Sequence, residues 1–102
     1  MINISIVKEN NFISKVTIEG HSGYASSGHD IVCASVSSIA ITTVNAIARI
    51  SSEILEFDEK DGFLVMVIKK EDRIINILME NMVSLFKELE EDYPKNIKTT
   101  FN

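Results

Sequence analysis

Residues 30–51 read DIVCASVSSIAITTVNAIARIS, and the fold turns on what this stretch forms. It contains neither Gly nor Pro, and Ile31, Val32, Val36, Ile39, Ala40, Ile47 and Ile50 leave little polar face. Thr42, Thr43 and the other β-branched residues are weak helix formers. Length decides the matter, because a strand of this extent would be exceptional. The stretch is therefore read as a helix, largely buried because it is apolar on most of its circumference. Asp30 stands where the side chain of an N-cap accepts from unpaired backbone N–H groups.

Working outward from this helix, the flanking segments change period. Upstream, Ile2, Ile4 and Ile6 alternate with Asn3 and Ser5. Phe12, Ser14, Val16 and Ile18 alternate with Ile13, Lys15, Thr17 and Glu19. A period of two predicts two strands, joined as a hairpin at KENN. Downstream, ILEFD and FLVMVIK flank EKDG, whose Gly62 closes a second hairpin. Phe63, Val65 and Val67 take one face and Leu64, Met66 and Ile68 the other, which predicts a central strand covered on both sides. Residues 72–92 carry Ile74, Ile75, Leu78, Met82, Leu85, Phe86 and Leu89 at helical spacing among charged residues, an amphipathic helix capped by Asp72. Tyr93 and Pro94 end it, and NIKTTF supplies an edge strand with Ile97, Thr99 and Phe101 on one side. The order β-β-α-β-β-α-β is that of an α+β fold, a mostly antiparallel sheet with two helices. A chain of 102 residues is expected to form one domain spanning residues 1–102.

Composition narrows the function. A formal net charge of −5 gives no general attraction to phosphate backbones, so direct nucleic-acid binding is not expected. The single cysteine cannot close an intramolecular disulfide, and no four-ligand metal pattern accompanies it, so no metal or other cofactor is expected. A reducing cytoplasm suits such a chain. The N-terminus lacks a basic region followed by a long apolar run, and no run reaches the roughly 18 to 20 consecutive apolar residues of a membrane span. No membrane partner is expected.

The one cysteine and both histidines fall within GHSGYASSGHDIVC, residues 20–33. Cys33 sits in the first helical turn after Asp30, where unpaired N–H groups and the helix dipole favour a thiolate. Asp30 opposes this through its own charge. A thiolate becomes an acyl-transfer nucleophile when an imidazole can pair with it and later protonate the departing amine. His21, at the end of the second strand, and His29, just outside the helix, are both candidates. The residues alone leave a second reading open, in which Cys33 is a small core hydrophobe and the histidines are surface groups. Gly20, Gly23 and Gly28, with Ser22, Ser26 and Ser27, make the connection permissive and suited to opening and closing over a ligand.

GHSGYASSGHDIVCASVSS, followed by TTVNAI, resembles the ribosomal-processing cysteine protease family, Prp. The similarity extends over almost the whole chain in length, element order and the acidic second helix. It implies a homodimeric endopeptidase that removes an N-terminal extension from a large-subunit ribosomal protein, through a thioester acyl-enzyme. The family's catalytic histidine falls on His21 and its nucleophile on Cys33. Asp30 and Ser37 match supporting positions. The family commonly has alanine where this chain has Ser22. Its substrate segment, rich in phenylalanine before the cut, implies an apolar groove beside the pair, with Gly20, Ser22, Gly23, Tyr24 and Gly28 in the substrate loop and Tyr24 as one wall. Backbone N–H groups at the helix start are the expected oxyanion donors. The alternative is a peptide- or ribosomal-protein-binding module without catalysis.

Overall fold

The computed structural model describes residues 1–26 and 30–102. Two hairpins, two helices and a last strand follow in the order β1 (Ile2–Glu9), β2 (Phe12–Glu19), α1 (Ile31–Ser51), β3 (Leu55–Lys60), β4 (Phe63–Ile68), α2 (Arg73–Asp92) and β5 (Ile97–Phe101). The fold is α+β, as the periodicities predict. The five strands form one sheet in the order β3-β4-β2-β1-β5. Every pairing is antiparallel except β1 with β5, which run parallel.

The first hairpin turns through Asn10 (φ 53°) and Asn11 (φ 67°). Two consecutive left-handed residues match the right-handed twist of the strands, and asparagine tolerates that region better than most residues. The alternation expected along β2 is broken by a bulge: Val7 faces Lys15, but Lys8 faces Ile13, so Ser14 has no partner of its own. An extra residue moves everything beyond it to the other face. Ile13 consequently joins Val16 and Ile18 in the core. The Ser14 hydroxyl donates to Val7 O at 3.2 Å, and Ile13 N donates to Asn76 Oδ1 of α2 at 2.8 Å, so the polar groups at the irregularity are satisfied.

One face of the sheet is the core face. Ile2, Ile4, Ile6, Val16, Ile18, Leu64, Met66 and Ile97 point into it and meet Val32, Val36, Ala40, Val44 and Ile47 of α1 and Ile75, Met79, Met82, Val83 and Phe86 of α2. Phe86 is wholly buried; its replacement by alanine would cost about 3–5 kcal/mol. Two expectations need correction. β4 is an interior strand, paired with β3 and β2, but only its Leu64–Met66 side is fully buried; Phe63 and Val65 share their face with Glu19 and Thr17 of β2 and remain half-buried. The helix α1 is one-sided rather than largely buried, with Ile31 and Ile50 each 52% exposed. Two helices laid side by side on one sheet face cannot enclose each other's outer surface.

By length and composition alone, α1 is also long and apolar enough to cross a membrane, a test that a core helix passes too. Counting only uninterrupted apolar residues misses this. Two of its hydroxyls are absorbed locally: Ser35 Oγ donates to Ile31 O at 2.7 Å and Thr43 Oγ1 to Ile39 O at 2.9 Å. The buried stripe Val32, Val36, Ala40, Thr43, Val44 and Ile47 follows one helical face.

Candidate active site

Asp30 starts α1 as expected. Its Oδ1 accepts from Val32 N at 3.0 Å and Cys33 N at 2.9 Å, while its carbonyl accepts from Ala34 N at 3.1 Å. The cap side chain therefore occupies two of the N–H groups that otherwise face outward at a helix start, and the Ala34 bond is the first of the helix itself. Val32 N and Cys33 N, two of the helix-start groups of the kind expected to receive an oxyanion, are engaged in this way. Desolvation pushes the Asp30 carboxyl up. Hydrogen bonds from the Ser22 hydroxyl and from the N–H and side chain of Cys33 outweigh it, holding the pKa at about 2 against an ordinary 3.8.

Cys33 is half-buried and packs by one side against the core. Its sulfur accepts from Ser22 N at 3.3 Å. Ser22 is 2% exposed and has all its polar groups engaged. Besides the bond to Cys33, its hydroxyl donates to Asp30 Oδ2, its Oγ accepts from Tyr24 N at 3.1 Å, and its carbonyl accepts from Asn96 Nδ2 at 3.0 Å. The strand end carrying His21 is thus tied both to the start of α1 and to the α2–β5 connection.

His21 is exposed and stands at the β3–β4 turn. Gly20 N donates to Gly62 O at 2.9 Å, fixing the end of β2 on that turn. A Cβ at Gly62 would lie 2.9 Å from His21 Nε2, so the imidazole rests directly over the glycine. Asp61 Oδ1 lies 4.0 Å from His21 Nε2, with both side chains largely in solvent. In this resting arrangement the imidazole faces Asp61, and no hydrogen bond joins it to Cys33 among the described residues.

His21 and Cys33 nevertheless share the same open groove, a space of about 540 Å³. Its apolar walls are Ile2, Ile18, Val36, Phe63 and Leu64. Ser37 also lines it, exposed on α1. A second space of about 570 Å³ shares the same pair in its lining, with Gly23, Ala25, Asp30 and Ala34 as well as His21, Cys33, Ser37 and Asp61. A chain crossing from one to the other passes the thiol and the imidazole. Tyr24 lines neither; its ring stacks edge-on against Tyr93, with centroids 5.5 Å apart, so the expected wall is instead a fastening for the loop. Gly28 and His29 lie outside the described residues. Three or more His, Cys, Asp or Glu side chains do not converge as a metal site among the described residues.

Asp61, Gly62 and Asn96 were not legible as site residues. Asn96 meets Ser22 across a separation of 74 positions, and nothing in the local pattern announces such a contact. The placement of Asp61 follows only from the pairing of β2 with β4.

A thiol at a helix start and an imidazole on the wall of one open groove are the equipment of a cysteine-dependent hydrolase. The model of the family Cysteine protease Prp matches residues 1–98, and the chain belongs to that family. The chain is 29% identical over 105 residues to the ribosomal processing cysteine protease Prp of Staphylococcus aureus, covering 99% of each chain. It is 27% identical over 90 residues to the Bacillus subtilis protein of the same name, covering 81% of this chain and 80% of that one. Among solved structures, the S. aureus protease with a covalently linked product peptide superposes with a TM-score of 0.91 at 27% identity, and with a substrate peptide at 0.85 and 26%; both cover 100% of each chain.

Proposed function

We propose that this protein is a cysteine endopeptidase that removes the N-terminal extension of a large-subunit ribosomal protein, with Cys33 as nucleophile and His21 as general base and acid. The observation that carries the reading is that Cys33 and His21 line one open apolar-walled groove in a chain matched by the Prp family over residues 1–98. The relatives solved with substrate and product peptides support a peptide as the ligand.

In this mechanism His21 turns from Asp61 toward Cys33 as the peptide binds and takes the thiol proton. The sulfur attacks the scissile carbonyl, giving a tetrahedral intermediate that collapses to a thioester as His21 delivers the proton to the departing amine. His21 then takes a proton from water, hydroxide attacks the thioester, and the carboxylate product leaves as the thiol reforms. Asp30 supports the pair by holding the helix start that carries Cys33. Ser37 serves as a supporting contact on the groove wall. The protein acts in the cytoplasm as a homodimer; sedimentation at the monomer mass across a broad concentration range would overturn the dimer.

The deciding experiment follows, by mass spectrometry, a peptide carrying the ribosomal protein's N-terminal extension with wild-type protein and Cys33→Ala. Cleavage by wild type alone is expected. A second reading, a peptide-binding module without catalysis, draws on the packing of Cys33 against the core and the turn of His21 toward Asp61. It predicts binding by both proteins and cleavage by neither.

A further inference from the structure

We propose that Ser22 is a positioning residue for the Cys33–His21 pair, acting through its hydroxyl on Asp30 and through its backbone N–H on the Cys33 sulfur. The role rests on the protease reading above, and its geometry stands on bonds within the resting protein. One carboxylate holds two pieces of chain. Asp30 Oδ1 fixes the N–H of Cys33 and Oδ2 takes the hydroxyl of Ser22, the residue immediately after His21. The strand end bearing the imidazole and the helix start bearing the thiol are therefore held together by a Ser–Asp link. The same link aims the Ser22 N–H, whose donation to sulfur at 3.3 Å orients the Cys33 side chain toward the groove.

A serine that only filled space would not need this arrangement. Ser22 is buried to 2% exposure, with every donor and acceptor matched, so its hydroxyl cannot be exchanged for water without loosening the network. Alanine at this position keeps the backbone N–H but removes the bond that aims it. The Asn96 bond to the Ser22 carbonyl persists and keeps the strand end in place. The expected defect is thus one of alignment rather than of folding or of peptide capture.

The test compares wild type with Ser22→Ala, Ser22→Thr, Asp30→Asn and the double variant Ser22→Ala/Asp30→Asn, reading peptide turnover and the rate at which iodoacetamide alkylates Cys33 at a fixed neutral pH. Ser22→Ala is expected to lower kcat about fivefold with KM nearly unchanged, and to slow alkylation by a similar factor, the scale of one lost hydrogen bond. Ser22→Thr, which retains the hydroxyl, restores most of both rates. The double variant falls short of the product of the single effects, because both remove the same link. Unchanged kcat and alkylation in Ser22→Ala, a rise in KM alone, or full additivity with Asp30→Asn would overturn the role. So would a kcat loss that follows the unfolded fraction measured by circular dichroism at the assay temperature. Alkylation needs no substrate, so wild type that cuts no peptide but shows the Ser22-dependent alkylation rate would overturn the protease reading and leave the positioning intact.

Discussion

The carboxylate of Asp30 accepts the backbone N–H of Cys33 at 2.9 Å, so the residue that begins the helix also holds the thiol-bearing turn. The cap engages two N–H groups of the helix start, and the Ser22 N–H is aimed at the sulfur of the same turn.

Removing that cap should weaken the fold as well as the site. Asp30→Ala is expected to lower stability by about 2 kcal/mol, from a lost N-cap and a Ser22 hydroxyl left without its acceptor. Because the folded pKa is depressed to about 2 from 3.8, the contribution is fully present above about pH 4 and is lost as pH falls through about 2. Urea unfolding of both proteins at pH 7, 4 and 2.5 should show a constant gap at the first two and a smaller one at the third.

His21 is exposed and makes no buried contact, so His21→Ala should leave the thermal midpoint within about 2 °C of wild type, as surface substitutions do. Turnover of the extension peptide should fall by about 10²–10⁴-fold, the range for a general acid–base. His29→Ala should retain much of it. Paired kinetic and melting measurements distinguish these outcomes, and a reversal between the two histidines would reassign the base.

Two glycines near the site should respond differently to alanine. A Cβ at Gly20 (φ +96°) would collide with the Met1 carbonyl oxygen, a backbone atom that cannot step aside without disturbing β1. At Gly62 (φ +71°) it would meet only the far end of His21 at 2.9 Å, a side chain free to swing. Gly20→Ala should therefore be the more destabilising in denaturant melts, by roughly 2 kcal/mol or more, against about 1 kcal/mol for Gly62→Ala. Gly62→Ala should lose activity out of proportion to its stability, since the imidazole is what moves.

Turnover should be unaffected by EDTA. The proposed steps use only a thiol, an imidazole and water. An activity abolished by the chelator and restored by added zinc would point to metal-assisted hydrolysis instead.

Element identity and order were legible because they rest on local physics. The periods of two and of 3.6, the N-caps at Asp30 and Asp72, and the stop at Tyr93–Pro94 all act within a few residues, and the structure places the elements where these signals do. The nucleophile and base candidates were legible too, since a lone cysteine at a helix start and a histidine at a strand end are local features. What failed depended on distant neighbours. The bulge opposite Val7 and Lys8 reverses the phase of β2 because strand pairing, not alternation, sets which side chains face inward. The exposure of Ile31 and Ile50 follows from two helices sharing one face of a sheet. Tyr24 turned toward Tyr93 rather than the groove because α2 ends beside the loop.

The sequence by itself determined which segments are helix and strand and which side chains are candidates for nucleophile and base, because propensity, capping and amphipathic period are properties of neighbouring residues. Only the tertiary structure decided that Ser22 links Asp30, the Cys33 sulfur and Asn96, and that Asp61 and Gly62 stand beside His21. The contacts of Asn96, Asp61 and Gly62 join segments far apart in the chain, and sheet pairing and burial select them together rather than one at a time.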